Sequence, residues 1–136
     1  MYPPELTKPM ADELTNAGFT QLSTVEAVNE EMKKEGTALV VVNSVCGCAA
    51  GSARPAAIMA SKHGKTPDRL LTVFAGVDAD AVNQARKFML PYPASSPSMA
   101  VFKDGRLVHF LERHHIEGSN AEAISENLKA AFDVFC

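Results

Sequence analysis

Two cysteines separated by a single glycine, Cys46-Gly47-Cys48, are the residues with the clearest chemical potential in this chain of 136 residues. Two thiols this close can form a disulfide inside the motif, but the ring is very short and has difficulty reaching relaxed disulfide geometry. Strain of that kind makes a disulfide easy to reduce and a ready oxidant of other thiols. The spacing therefore predicts a labile, redox-active pair.

Two other interpretations of the pair stay open at this point. Free cysteines are often buried and inert, and Cys46 and Cys48 would then be small apolar residues at the end of a strand. A Cys-x-Cys pair can also bind copper or zinc, but a structural zinc site normally has four ligands. Because two cysteines supply only half of such a set, we expect no resident metal.

The elements around the pair place it at the end of a strand. Residues 38–45, ALVVVNSV, form an apolar run typical of a strand buried on both faces. The segment 49–62 favours a helix that either begins near Pro55 or is kinked there. Cys46 would then lie at the carboxyl end of a strand and near a helix N-terminus, whose N–H groups favour the thiolate. Gly47 would leave the sulfur open to a bulky disulfide.

The rest of the chain alternates between helical and strand patterns. Helices are predicted at residues 4–17, 24–35, 78–90 and 119–136, and strands at 19–22, 70–76, 99–103 and 106–113. Asp104-Gly105 predicts a tight hairpin turn between the last two strands. This order predicts one α/β domain over residues 1–136, with a central mixed β-sheet, helices on both faces and an extra N-terminal helix.

Charge and hydropathy argue against several classes of partner. The chain carries 13 basic and 16 acidic residues, for a formal net charge of −3, and no basic run. We therefore expect no binding to nucleic acid or to an anionic membrane. No segment reaches the about 18 apolar residues that span a bilayer, and MYPPELTKPM lacks the apolar core of a signal peptide. We expect a cytoplasmic protein, where structural disulfides are rare.

Several segments resemble the bacilliredoxin family and together span essentially the whole chain. They are MYPPELTKPM, VVVNSVCGCAAGSARPA at residues 40–56, FAGVDADAVNQAR, SSPSMAVFKDG and RHHIEG. The resemblance implies a thioredoxin-like fold, although thioredoxins normally carry Cys-x-x-Cys and this motif is one residue shorter. It also implies a cis proline opposite the dithiol at Pro97, and pairing of the Ser96 backbone with a bound disulfide substrate.

The same resemblance implies an activity, the removal of the small thiol bacillithiol from mixed disulfides on client proteins. Cys46 would attack the mixed disulfide, and Cys48, expected to be the deeper thiol, would resolve the adduct. The implied partners are bacillithiol as substrate or co-substrate, S-bacillithiolated client proteins and a disulfide reductase, with no other cofactor. Two alternatives stay open: a disulfide isomerase or oxidant of the same fold, and a metal-binding or redox-sensing adaptor without turnover.

Four further residues attract attention for their chemistry. Arg54 follows Cys48 by about one helical turn. We expect its guanidinium to recognise the carboxylates of bacillithiol, to stabilise a thiolate, or to be solvated. His114 and His115 fall at the end of the last predicted strand, where adjacent side chains point to opposite faces and do not share a metal. Cys136 ends the chain and is expected to be an unordered thiol.

Overall fold

The computed structural model describes residues 2–136, in which helices and strands alternate as predicted. The α-helices are α1 (Pro4–Thr15), α2 (Val25–Met32), α3 (Arg54–Ala60), α4 (Ala79–Lys87), α5 (Arg113–Glu117) and α6 (Ala121–Phe135). The strands are β1 (Thr20–Gln21), β2 (Thr37–Asn43), β3 (Arg69–Phe74), β4 (Ser98–Lys103) and β5 (Arg106–Leu111). A π-helical turn, Ala49–Ala53, runs directly into α3.

The five strands form one mixed sheet in the order β1-β3-β2-β4-β5. Strand β2 is parallel to β3 and antiparallel to β4, and β4 continues into β5 through a hairpin. The hairpin turn uses positive φ angles at Asp104 (52°) and Gly105 (78°). A two-residue turn with left-handed conformations at both positions matches the twist of antiparallel strands. The predicted mixed sheet is therefore confirmed.

Strand β2 is the centre of the structure, because both of its faces are covered by helices. Leu39 and Val41 face a core cluster that includes residues of α1, α3 and α6. Val40 and Val42 face a second cluster with residues of α2 and α4. Burying an aliphatic side chain of this size stabilises a fold by about 1.5–3 kcal/mol, so these residues fix the position of whatever follows β2. Among residues 2–136, no helix combines the length and the apolar character that crossing a bilayer requires.

The last predicted strand ends earlier than expected, at Leu111, and the next residues form the short helix α5. Glu112 and His115 start this helix with a reciprocal cap: the Glu112 side chain accepts the backbone N–H of His115, and His115 Nδ1 accepts the backbone N–H of Glu112 at 3.1 Å. Reciprocal capping satisfies donors that a helix start would leave without partners. The usual sequence signature has Ser or Thr first and Glu or Gln last, and Glu-x-x-His does not match it.

Helix α1, the predicted extra N-terminal helix, packs against α3 and β1. Its Leu14 is fully buried in the first core cluster. The helix also meets the end of β2, since Asn43 Nδ2 donates a hydrogen bond to the Met10 carbonyl at 3.3 Å. Helix α1 therefore braces the strand end from which the cysteine motif emerges.

Candidate active site

The cysteine motif occupies the junction between β2 and a helix, as predicted. After Asn43, the backbone N–H of Cys46 donates to the Ser44 hydroxyl at 3.2 Å. The Cys46 carbonyl then accepts the N–H groups of Ala49 at 3.1 Å and Ala50 at 3.3 Å, so the helix begins directly at the motif. Cys46 and Cys48 are both free thiols and both half-buried. The arrangement points backbone donors at the thiol pair.

The helix after the motif begins with the π turn and is continuous through Pro55. The backbone N–H of Arg54 bonds to the Ala49 carbonyl, five residues earlier. Pro55 has no N–H, and in a regular α-helix its ring would clash with the carbonyl four residues before it, that of Gly51. The wider turn relieves this conflict. The α-helix α3 begins at Arg54 with Pro55 in its first turn, which confirms the prediction of a helix that begins near Pro55, and the π turn leads into it. Single π turns inside α-helices occur frequently at functional sites.

Cys46 has the surroundings of a nucleophile. Burial would raise the pKa of its thiol, but hydrogen bonds to the sulfur outweigh burial, and the pKa is lowered. The donors are, in order of effect, the Cys48 thiol, the backbone N–H of Ala49 and the Ser44 hydroxyl. A thiol with a lowered pKa carries more of the nucleophilic thiolate at neutral pH.

Cys48 has the opposite tendency. Burial raises the pKa of its thiol, and the hydrogen bond and negative charge of Cys46 raise it further, while the positive charge of Arg113 lowers it in part. Cys48 is therefore a thiol that donates to the Cys46 sulfur and keeps its own proton. The pair consists of one thiolate and its hydrogen-bond donor.

The expectation that Cys48 is the deeper thiol is wrong. Both thiols are half-buried, and it is Cys46 that packs against the first core cluster. The chain turns into the helix at Cys46, so its side chain lies along the apolar face that continues from β2. The two cysteines thus differ in hydrogen bonding, and depth does not separate them.

Gly47 is exposed and has open space on its Cα. A Cβ built there would meet no heavy atom within 4 Å apart from its chain neighbours, and its φ lies outside the left-handed region. The fold therefore does not demand glycine at this position. The predicted reason for it, access of a substrate to the sulfurs, stays a prediction.

The loop before β4 lies beside the motif. Val42 of β2 pairs with Ser98 of β4, which brings Ser96 and Pro97 next to the residues that follow β2. The Ser96–Pro97 peptide bond is cis, as the family resemblance implies for Pro97. The Ser95 carbonyl accepts hydrogen bonds from the Ser98 hydroxyl at 3.0 Å and from an arginine, Arg86 Nη2, at 3.3 Å. Binding of a substrate by the Ser96 backbone stays a prediction.

Arg113, at the start of α5, was not predicted as a site residue. Its Nη1 donates to the Ser96 carbonyl at 3.1 Å, its Nε to Glu117 Oε2 at 2.9 Å and its backbone N–H to the Ser95 hydroxyl at 3.3 Å. Its positive charge acts on both thiols. No local signal in the sequence could have found it, because it is far from the cysteines along the chain and falls at the end of a predicted strand.

Arg54 is not where the prediction put it. The residue is 1 % exposed, and its Nη1 donates to Asn43 Oδ1 at 3.0 Å and to the Ser44 carbonyl at 2.9 Å. Its Nε lies 3.2 Å from Glu13 Oε2 of α1. A buried guanidinium with these partners neither reaches a substrate carboxylate nor lies in solvent. The expectations of substrate recognition and of solvation are therefore corrected. Arg54 holds the end of β2 at Asn43 and the next residue, Ser44, which lies two residues before Cys46.

The two adjacent histidines belong to α5, and the argument that they point apart is corrected. Their ring centroids are 4.1 Å apart, and one ligand atom each from Glu112, His114 and His115 lies within 4.8 Å of the others. Successive residues in a helix are not on opposite faces as they are in a strand. Because His115 Nδ1 accepts the Glu112 N–H, this histidine already caps the helix.

Cys136 is not an unordered thiol. Its backbone N–H donates to the Phe132 carbonyl at 2.8 Å, and its side chain is half-buried against the first core cluster. The residue therefore caps α6 and packs at the helix end.

The fold and the thiol pair define a class, a thioredoxin-fold protein with a dithiol at the end of a central strand. Solved structures of two thioredoxins share this fold. The thioredoxin of Malassezia sympodialis matches with a TM-score of 0.59 and 14 % identity, over 87 % of this chain and 90 % of that one. The thioredoxin of Aeropyrum pernix matches with 0.55 and 19 %, over 80 % and 84 %.

Sequence comparison is more specific than the fold. The family described as "Disulphide isomerase" matches residues 2–136. A bacilliredoxin of Cytophaga hutchinsonii is 61 % identical over 133 residues, which cover 98 % of both chains. A bacilliredoxin of Halalkalibacterium halodurans is 50 % identical over 136 residues, covering 99 % of this chain and 94 % of the relative. The chain belongs to the bacilliredoxin family, a family of thiol–disulfide oxidoreductases.

Proposed function

We propose that the protein removes bacillithiol from mixed disulfides on client proteins, with Cys46 as the nucleophile and Cys48 as the resolving thiol. The observation that carries the proposal is the asymmetry of the pair: hydrogen bonds lower the pKa of Cys46, and burial together with Cys46 raises that of Cys48. The relatives described as bacilliredoxins support the choice of bacillithiol.

In the first step, the Cys46 thiolate attacks the bacillithiol sulfur of the mixed disulfide. A bond forms between Cys46 and bacillithiol, the bond between bacillithiol and the client breaks, and the client leaves as a thiolate that takes a proton from solvent. Thiol–disulfide exchange proceeds through such an adduct and depends on the thiolate fraction of the attacking group. The Ala49 N–H and the Ser44 hydroxyl stabilise that thiolate before attack.

In the second step, Cys48 loses its proton to solvent and attacks Cys46. The Cys46–Cys48 disulfide forms, and bacillithiol leaves as a thiolate. Once Cys46 is part of the adduct, it no longer carries the charge that raised the pKa of Cys48, while the attraction of Arg113 remains. Cys48 therefore becomes a better nucleophile at the stage at which it is needed.

The complete reaction moves two electrons from the dithiol to the mixed disulfide and leaves the protein oxidised. A reductant must restore the dithiol, and we propose a disulfide reductase in a cytoplasmic setting for this step. A second bacillithiol that attacks the adduct on Cys46 is the other route, and it would not need Cys48.

The proposal is tested by following release of bacillithiol from a peptide that carries it as a mixed disulfide. We expect one equivalent of bacillithiol per reduced wild-type protein in the absence of a recycling reductant. Cys46→Ala should release none, and Cys136→Ala, the matched control for loss of a thiol, should behave as wild type. Wild-type protein that leaves the peptide untouched would refute bacillithiol as the substrate.

A second candidate, disulfide isomerase, is favoured by the description of the matching family. An isomerase attacks a wrong disulfide with Cys46 and lets the client itself resolve the adduct, so no net oxidation results. Recovery of activity by a scrambled test protein, without net consumption of the dithiol, would support this candidate. Fast oxidation of the dithiol by the bacillithiol peptide with no recovery of the scrambled protein would exclude it.

A further inference from the structure

The guanidinium of Arg113 lies in the neighbourhood of the dithiol, since its positive charge acts on both thiols. It is held in place from two directions, by the Ser96 carbonyl at 3.1 Å and by Glu117 Oε2 at 2.9 Å. Helix α5, which carries it, packs against the π turn that follows the cysteines. The residue therefore has a defined position beside the Ser96 loop and near the turn that follows the cysteines.

The side chain of Arg113 is 46 % exposed, so part of the guanidinium faces solvent. Its two side-chain hydrogen bonds use Nε and Nη1, which leaves Nη2 for another acceptor. A guanidinium with donors in a planar fork is well suited to a carboxylate. Arg54, the other arginine near the motif, is buried and turned towards Asn43 and Ser44.

We propose that Arg113 forms an anion-binding subsite that selects small thiol substrates that carry a carboxylate. The inference rests on the proposed function, because it names the residue that would recognise the small thiol of the mixed disulfide. The carboxylate pairs with Nη2, and the Ser96 carbonyl holds the guanidinium in place through Nη1. A neutral thiol of the same shape would lose this contact.

Glu117 limits the strength of this subsite. Its carboxylate already pairs with Arg113, but it is exposed, with 60 % of its side chain in contact with solvent. Exposed ion pairs of this kind are weak, so an incoming carboxylate can share or displace it. Neutralising Glu117 should therefore increase the preference for anionic substrates, while Arg113 stays held by Ser96.

The test uses two alkylating reagents that differ only in charge, iodoacetate and iodoacetamide, and needs no bacillithiol. Rates of Cys46 modification are measured by peptide mapping at low salt, and the ratio of the two rates is compared among variants. We expect Arg113→Gln to lower the ratio of iodoacetate to iodoacetamide about two- to fivefold, and 0.5 M salt to reduce the difference. Glu117→Gln should raise the ratio.

Two comparisons separate this subsite from other effects. Arg106→Gln removes an exposed arginine at the far end of β5 and should leave the ratio unchanged, which controls for net charge. If Arg113→Gln lowers the rates of modification by both reagents equally, the proposed subsite is refuted. Arg113 would then act only on the thiolate. This result is independent of bacillithiol release, so a failure of the proposed function would be seen in that assay alone.

Discussion

The surroundings of the dithiol have a buried side, which contains Arg54, and an exposed side, which contains Arg113. The two arginines differ in burial and in hydrogen-bond partners. On the buried side, Arg54 is 1 % exposed and binds Asn43, Ser44 and Glu13. On the exposed side, Arg113 is partly exposed and donates a hydrogen bond to the Ser96 carbonyl. The guanidinium of Arg54 donates to the Asn43 side chain and to the Ser44 carbonyl, and the guanidinium of Arg113 is partly exposed to solvent.

The difference shows that proximity to a reactive thiol does not assign a role to a charged residue. A buried guanidinium needs hydrogen-bond and ionic partners to be stable, and burial keeps the Arg54 side chain away from a substrate. An exposed guanidinium contributes little to stability but can exchange one partner for another. Burial therefore separates the residue that shapes the site from the residue that is open to solvent.

The largest expected effect is on the buried side. Arg54→Met should lower the free energy of unfolding by about 3 kcal/mol, because it removes charged hydrogen bonds and leaves the Ser44 carbonyl without that donor. Arg113→Gln should leave the free energy of unfolding nearly unchanged, because exposed ion pairs contribute little to stability. Urea unfolding of both variants measures the difference. Equal losses of unfolding free energy in the two variants would contradict the proposed difference between Arg54 and Arg113.

Between the two sides, Cys48→Ala should raise the pKa of Cys46, because it removes the first donor to the Cys46 sulfur. The rate of Cys46 alkylation follows the thiolate fraction, so its rise with pH should move to higher pH in the variant. Cys48→Ser is the matched control, since its hydroxyl can still donate, and its profile should stay closer to that of wild type. If Cys48→Ala and wild type titrate together, the proposed hydrogen bond within the pair is absent.

Ser44→Ala should shift the same alkylation profile in the same direction by less. The Ser44 hydroxyl ranks after the Cys48 thiol and the Ala49 N–H among the donors that lower the pKa of Cys46. Wild-type Cys46 should titrate below the value of about 8.5 that is usual for an isolated thiol. A profile for Ser44→Ala at lower pH than wild type would contradict this order.

The smallest effect is expected on the open side, at Gly47. Gly47→Ala should leave the unfolding free energy nearly unchanged, because a Cβ there meets open space, and should slow exchange with a bulky peptide disulfide more than with a small one. Gly51→Ala, which also meets nothing within 4 Å, is the control for a glycine beyond the motif. Equal slowing by both variants would remove access to the sulfurs as the reason for glycine at this position.

The strand β2 and the hairpin turn could be predicted from the sequence, because each depends on a pattern of residues that are neighbours along the chain. The apolar run before Cys46 has no alternation, which is typical of a strand covered on both faces, and the Asp104-Gly105 pair has the turn chemistry that a hairpin needs. Pro97 was placed through resemblance to a family, and the cis bond is present. These features depend on neighbours along the chain.

The positions of the arginines depend on contacts between distant segments, and sequence reasoning therefore missed them. The π turn inserts an extra residue before Arg54, and one residue rotates the following side chains by about 100°. The π turn therefore directs Arg54 towards Glu13 of α1. No local sequence pattern predicts this contact. Arg113 faces the cysteines only because α5 replaces the end of the predicted strand.

The central claim is that Cys46 attacks and Cys48 resolves, and trapping the intermediate tests it most directly. Reduced Cys48→Ala and Cys46→Ala are mixed with the bacillithiol peptide, and the intact mass and the modified residue are determined by mass spectrometry. The account predicts one bacillithiol on Cys46 in Cys48→Ala and no adduct in Cys46→Ala. An adduct on Cys48 in Cys46→Ala, formed as fast as the adduct on Cys46, would contradict the assignment of the two roles.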